Sequence, residues 1–225
     1  MFQGFSQETV DFMWGIRFNN EKSWFEAHKS DYQTYFLAPM RELGGQVQAE
    51  LLDRFPKCGL NMKVSRIYRD ARRLFGRGPY KDHLWLSLFR FGNESGGHPV
   101  LWFELTPDGW SYGMGFWDAH ADIMMKHRAR IDRDPKPLLK LHNKLAKQEE
   151  FVLQGPEYSR RKACAEPRLE TWYNKKSLSI GHDEALTEYL YTPELAGRLV
   201  EGFSFLMPYY DYFSTLWADG SPEPS

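Results

Sequence analysis

Between Lys63 and Lys81 the chain sets seven basic side chains, Lys63, Arg66, Arg69, Arg72, Arg73, Arg77 and Lys81, against a single acid, Asp70. Arginine presents a planar fork of N–H donors that matches the oxygens of phosphate or carboxylate. Several forks converging from a strand end and a loop make an anion site. Gly76, Gly78 and Pro79 turn the second half of the segment into a loop, the kind of segment that commonly carries binding residues. Asp70 would lock one guanidinium in place from behind. The expected site is therefore Arg66, Arg69, Asp70, Arg72 and Arg77, with Tyr80 and Lys81 at its rim. Its ligand would be a small phosphorylated or carboxylated molecule.

The same residues admit a second reading. Paired, hydrogen-bonded charges can tie strands to helices without any ligand. The protein would then be a non-enzymatic interaction or scaffold protein whose arginine motif is structural or docks an acidic partner. Spacing does not choose between the two. On a strand, Arg66 and Arg69 point to opposite faces. On a helix, Arg66, Arg69, Arg73 and Arg77 share one.

Other reactive residue types form weaker patterns. His83 follows Lys81 and Asp82 closely and is the nearest candidate for acid–base work on a bound phosphate. It also reads as an ordinary strand-start residue. His120 and His127 lie one heptad apart, but no metal-ligand spacing surrounds them, so no metal is expected. Cys58 and Cys164 have no visible partner base. No P-loop, nucleophile elbow or dinucleotide fingerprint occurs, and no cofactor is expected. Without a nucleophile or metal set, enzyme status stays open.

The segment Arg66-Ile67-Tyr68-Arg69-Asp70-Ala71-Arg72, closing on Pro79-Tyr80-Lys81, resembles the signature of the uncharacterised bacterial family called domain of unknown function 2461. Asn19-Asn20 followed by Trp24-Phe25 is similar to that family's opening, as are the Gly113–Trp117 strand and the Arg128–Ile131 helix. Three positions depart: Arg73 replaces a phenylalanine, Gly76 an acidic or amide residue, and Arg77 a lysine. The resemblance implies a grouping and brings no activity with it.

The bulk numbers bound the setting. At 225 residues, 42% apolar, 16% aromatic and 26% charged, the chain can bury a core without disulfides or metal. The net charge is −1, so the chain outside the basic segment is acidic. That argues against a broad nucleic-acid surface and for a local field. Met1 to Ser6 has neither a basic start nor an apolar run, so no secretory signal is expected. No stretch reaches the ~20 apolar residues of a spanning helix. With two widely spaced cysteines, a reducing cytoplasm is the expected compartment and no membrane is involved.

The elements that must carry the segment follow from period and punctuation. Ser6 opens a helix containing Val10, Met13 and Trp14, and a second begins near Glu21. A third, from Pro39, carries Met40, Leu43, Val47 and Leu51. The middle then alternates. Val64–Tyr68, His83–Phe91, Val100–Thr106 and Trp110–Trp117 read as strands, joined by turns at 93–97 and 107–109. Trp85, Trp102, Trp110, Tyr112 and Trp117 read as core rather than as stacking platforms. Helical spacing returns at Ile123–Ile131, Leu138–Leu145 and, after Thr192-Pro193-Glu194, Leu195–Leu206, with Pro208 kinking or ending the last helix. Residues 149–183 read as irregular apart from a short helix near Glu170. The expectation is an α+β fold in one domain over 1–218: an antiparallel meander sheet with helices mainly on one face. A disordered tail is expected over 219–225.

Overall fold

The computed structural model describes every residue except 71, 73, 75, 91–96 and 221–225. The expected 93–97 turn, apart from Gly97, and the 221–225 part of the tail lie outside the described residues, as do Arg73 and Phe75. The helices are α1 (Gln7–Phe18), α2 (Lys22–Ala27), α3 (Lys29–Asp31), α4 (Ala38–Arg54), α5 (Ala121–Arg133), α6 (Lys136–Leu145), α7 (Glu170–Tyr173) and α8 (Glu194–Ser214). The strands are β1 (Leu60–Val64), β2 (Leu84–Arg90), β3 (Val100–Thr106), β4 (Gly109–Gly115), β5 (Val152–Gln154) and β6 (Ser179–Ala185). They form a six-stranded antiparallel sheet in the order β1-β2-β3-β4-β6-β5. The fold is α+β, as the period changes in the sequence imply. No helix among the described residues is long and apolar enough to cross a membrane.

The chain packs as two compact units. The first holds Met1–Leu88, Trp102–Tyr112 and Asp183–Gly202; the second holds Phe89–Leu101, Gly113–His182 and Phe203–Ser225.

In the first unit the strands obey the two-residue period. Leu84, Leu86 and Leu88 on β2, and Phe103 and Leu105 on β3, are fully buried. Trp85, Ser87, Trp102 and Glu104 alternate with them and stay partly exposed. One sheet face is therefore core and the other is open. Each fully buried Leu or Phe contributes about 1.5–3 kcal/mol. Of the expected core rings, Trp110 and Tyr112 are buried on the inner face, whereas Trp85 and Trp102 lie on the open one. A π-helical stretch, Tyr32–Leu37, precedes α4. Such a stretch leaves carbonyls without their usual intrahelical donor, and the Thr9 hydroxyl of α1 donates to Tyr35 O at 2.5 Å. That bond ties α1 to the second helical region.

In the second unit β5 pairs antiparallel with β6, Leu153 opposite Ile180. These two strands fall where the sequence reads as irregular. β5 has only three residues, and β6 reads Ser-Ile-Gly-His-Asp-Glu-Ala with one strong strand former, so neither shows a period. His127 on α5 is completely buried. Its Nε2–H donates to Trp172 O at 3.3 Å, and burial holds the ring's pKa near 3. Pro208 does not end α8, which continues to Ser214. Lys144 donates to the Phe205 carbonyl at 3.1 Å just before that proline. Asp219 accepts from Arg130 at 2.7 Å.

Candidate functional site

The open face of β2 supplies the floor of a cleft of about 720 Å³. Trp85 and Ser87 project into it from alternate positions. Lys63 and Ser65 do so from the end of β1. Ser65 N–H donates to Trp85 O at 2.8 Å, and Trp85 N–H donates to Ser65 Oγ at 3.1 Å, which fixes the two strand ends together.

Beyond Ser65 the chain leaves the sheet and returns. Lys81 N–H donates to Ile67 O at 2.7 Å and Arg69 N–H donates to Pro79 O at 2.8 Å, with Tyr68 and Tyr80 bridged antiparallel. Residues 67–69 thus clamp against 79–81 and hold the arginine loop by its two ends. Asn20 completes the clamp. Its Nδ2 donates to Tyr80 O, and its Oδ1 accepts Tyr80 N–H, both at 2.9 Å. Gly78 makes room for this, since a Cβ there would lie 2.2 Å from Asn20 Oδ1.

The loop brings most of the expected site together. Arg66, Arg69, Asp70, Arg72 and Lys81 all line the cleft, with Lys63 and the exposed ring of Tyr68 beside them. Arg77 and Tyr80 are not part of the lining. Arg77 is exposed, its N–H and Nε both directed at Leu74 O. Tyr80 is buried with its ring stacked on Phe25 at 4.3 Å, and its carbonyl is what serves the loop.

The cations divide into held and unheld. Arg69 is pinned: Nε donates to Tyr80 O at 2.7 Å and a terminal nitrogen lies 3.7 Å from Asp82. Arg72 is gripped by Asp70, with Nε donating to Oδ1 at 3.0 Å and the terminal nitrogen to Oδ2 at 2.8 Å. Asp70 therefore does lock a guanidinium, that of its near neighbour. Lys63 and Arg66 make no hydrogen bond or ion pair among the described residues. Lys81 rests its Nζ 4.0 Å from the centre of the Trp85 ring. Burial, and then the positive charge of Arg69 and Arg66, push its pKa down to about 8 against the pull of Glu104. Arg69 is lowered too, by burial first and by Arg77. Five cations against one acid, with that acid already engaged, leave the cleft short of negative charge.

Next to the cleft stands a carboxylate that sequence reasoning missed. Asp82 Oδ2 accepts from Arg17 Nε at 2.6 Å, and Oδ1 lies 2.9 Å from His83 Nδ1. Hydrogen bonds from His83 and Arg17 hold the Asp82 carboxyl far below the usual range, against its burial. His83 Nε2 lies 3.7 Å from Glu104 Oε1 on β3, and burial raises the Glu104 pKa. Only local adjacency to Lys81 could have flagged Asp82. Its partner Arg17 is 65 residues away, and Glu104 sits on a different strand.

Elsewhere, the other candidates are occupied structurally. His120 sits at the start of α5 and His127 is in the core. Cys58 is buried, and neither it nor Cys164 forms a disulfide. Lys175 is buried on Gly155 O and Glu157, and Arg161 pairs with Glu157. Among the described residues, no group of three metal-ligating side chains occurs.

The model of the conserved hypothetical protein family DUF2461 matches residues 8–212. The chain belongs to this family. None of the curated proteins matches the sequence. In this DUF2461 member, Gly76 in the arginine loop meets a backbone demand. Gly76 sits at φ +79°, a region entered by glycine and, among residues with side chains, most readily by asparagine and aspartate.

Proposed function

We propose that this DUF2461 protein is a cytoplasmic binder of a small phosphorylated or carboxylated ligand, held in the cleft over β1 and β2. One observation carries the reading. Lys63, Arg66 and Lys81 line the cleft without a carboxylate bonded to any of them among the described residues, and the Lys81 pKa is depressed by burial and then by Arg69 and Arg66. A purely structural network would be expected to neutralise itself, since an uncompensated cluster of like charges costs stability. A doubly charged oxyanion offers the missing charge and accepts from several forks at once. The volume is within the range of small-molecule sites, and Tyr68 and Trp85 supply apolar wall.

A second reading keeps some support from Arg69 and Arg72, whose donors are largely taken by Tyr80 O, Asp82 and Asp70. On it, these two are framework, and the cleft docks an acidic partner.

Calorimetric titration with inorganic phosphate, sulfate and acetate, in chloride of matched ionic strength, tests the proposal. Saturable binding of an oxyanion that weakens in Arg66→Ala, without loss of thermal stability, is the expected result. Absence of binding by the folded protein for all three anions would overturn it.

A further inference from the structure

Tyr68 lines the cleft and is 52% exposed. Single exposed rings are common on protein surfaces, but this one is fixed in place. Its backbone pairs antiparallel with Tyr80. The flanking bonds, Lys81 N–H to Ile67 O at 2.7 Å and Arg69 N–H to Pro79 O at 2.8 Å, close that pairing on both sides. The ring packs edge-on with Phe25, centroids 5.9 Å apart, and lies 5.5 Å from the Tyr80 ring. Phe25 and Tyr80 are both buried. Tyr68 is therefore braced from the core side and open to the cleft.

Its neighbours define what could lie on it. Arg66 is exposed two positions earlier, across the buried Ile67, and lines the same cleft. Lys63 and Lys81 line it as well. The other lining ring, Trp85, has the Lys81 ammonium 4.0 Å from its centre, whereas no cation among the described residues sits over Tyr68. Ser87 adds a hydroxyl on the floor, and the cleft, at about 720 Å³, is much larger than an inorganic anion. A braced open ring, cations with no carboxylate bonded to them and a floor hydroxyl match three parts of one molecule: a flat aromatic base, a phosphate and a sugar between them. Every base presents a π face to such a ring. A ring that is already held loses little freedom when it is covered.

We propose that the ligand of this cleft is a nucleoside monophosphate, its base stacked on Tyr68 and its phosphate held by Lys63, Arg66 and Lys81. The inference rests on the anion-site reading given above and names the ligand class of that same site. The stack should raise affinity about 5- to 150-fold over the same phosphate without a base. Stacking tolerates any base, so affinity should follow ring size, purine above pyrimidine. A single nucleotide fits better than a strand. The net charge is −1 although the Lys63–Lys81 segment is strongly basic. A strand leaving the cleft would therefore run over an acidic remainder with few partners for its phosphates.

Calorimetry on the whole protein at matched ionic strength compares adenosine 5′-monophosphate, uridine 5′-monophosphate, ribose 5-phosphate and inorganic phosphate. The expected order of affinity is adenosine, then uridine, then the two phosphates without a base. Tyr68→Leu removes the π face and Tyr68→Phe keeps it. The ratio of nucleotide to ribose 5-phosphate affinity should therefore fall toward one in the first variant and persist in the second. Where Tyr68→Leu does not fold, saturation-transfer NMR on the wild type takes its place. Adenine protons saturated more strongly than ribose protons support the stack, and the reverse overturns it. Equal wild-type affinity for nucleotide and ribose 5-phosphate overturns the base platform and leaves the anion site standing. A ratio that survives Tyr68→Leu also overturns it. An adenine octanucleotide that binds more than about 100-fold tighter than the mononucleotide overturns the single-nucleotide class in favour of a strand. Absence of binding by all four probes overturns both readings.

Discussion

The side-chain amide of Asn20 satisfies both backbone groups of Tyr80, giving one hydrogen bond and taking one, each at 2.9 Å. A residue at the end of the first helical region thereby fixes the closing end of the arginine loop. Asn20→Ala leaves both groups without that partner and should cost about 1–3 kcal/mol. Gly78→Ala should cost a similar amount by pushing on the same amide. Because both changes act on one contact, the double variant should lose less than the two losses added together. Urea unfolding of the four proteins checks this.

Arg66 and Arg69 should separate cleanly. Arg66→Ala should weaken phosphate binding about 10- to 100-fold, the worth of one or two charge-assisted hydrogen bonds, and leave the unfolding midpoint almost unchanged. Arg69→Ala should lower stability as well, since its guanidinium is bonded to Tyr80 O and lies beside Asp82. Calorimetry and thermal unfolding on the same samples distinguish the two.

Lys81 gives phosphate binding a pH dependence. Its free pKa is near 8, set by burial and by Arg69 and Arg66, with Glu104 opposing. A bound dianion raises that value, so binding takes up a proton between the free and bound pKa. Affinity should therefore fall as pH rises through 8, by at most about tenfold per unit. Lys81→Arg stays charged and should give a flat profile from about pH 7.5 to 9.5. In the ligand-free protein, the unfolded chain binds more protons at this position between about 8 and 10.5, so this site's contribution to stability should rise with pH across that window.

Asp82 acts at the other end of the scale. Its folded pKa lies below the ordinary 3.8 because of His83 and Arg17. Its contribution to stability is thus complete above the ordinary value and disappears as pH falls through the folded one. Asp82→Asn should cost roughly 2–3 kcal/mol at pH 7. The gap to the wild type should narrow below about pH 4. Denaturant unfolding at pH 7, 4 and 2.5 measures it.

His127 contributes an acid limb of its own. Held near 3 by burial against an ordinary 6.5, it binds fewer protons folded than unfolded between those values. Its effect on stability therefore rises with pH from about 3 to 6.5. His127→Gln should flatten that slope by about one proton, as read from the pH dependence of the unfolding free energy.

The legible part of the fold was whatever carried its own period. β2 and β3 announced themselves by strict alternation, and α5, α6 and α8 by their apolar stripes and helix starts. β5 and β6 did not, being short or polar, and their pairing comes from distant partners rather than from local preference. A single charged segment was enough to point to Arg66, Arg69, Asp70, Arg72 and Lys81, which the fold places along one cleft. It also swept in Tyr80, whose ring serves the core, and Arg77, which is not part of the cleft lining. Asp82, Arg17 and Glu104 carry no local signal, because Arg17 meets Asp82 across 65 residues of chain and Glu104 approaches His83 from a different strand.

Asp82 receives Arg17 from the first helix, approaches Arg69 of the motif, and engages His83 at the mouth of β2. One acid with three basic clients turns four scattered positions into a single heritable unit. Among relatives, loss of the acid should be accompanied by change in all three bases, whereas Arg66 and Lys63 should drift independently of it. A family tree would then record the framework as a block and the ligand contacts as separate characters, and lineages that recognise different anions would differ in the second and agree in the first.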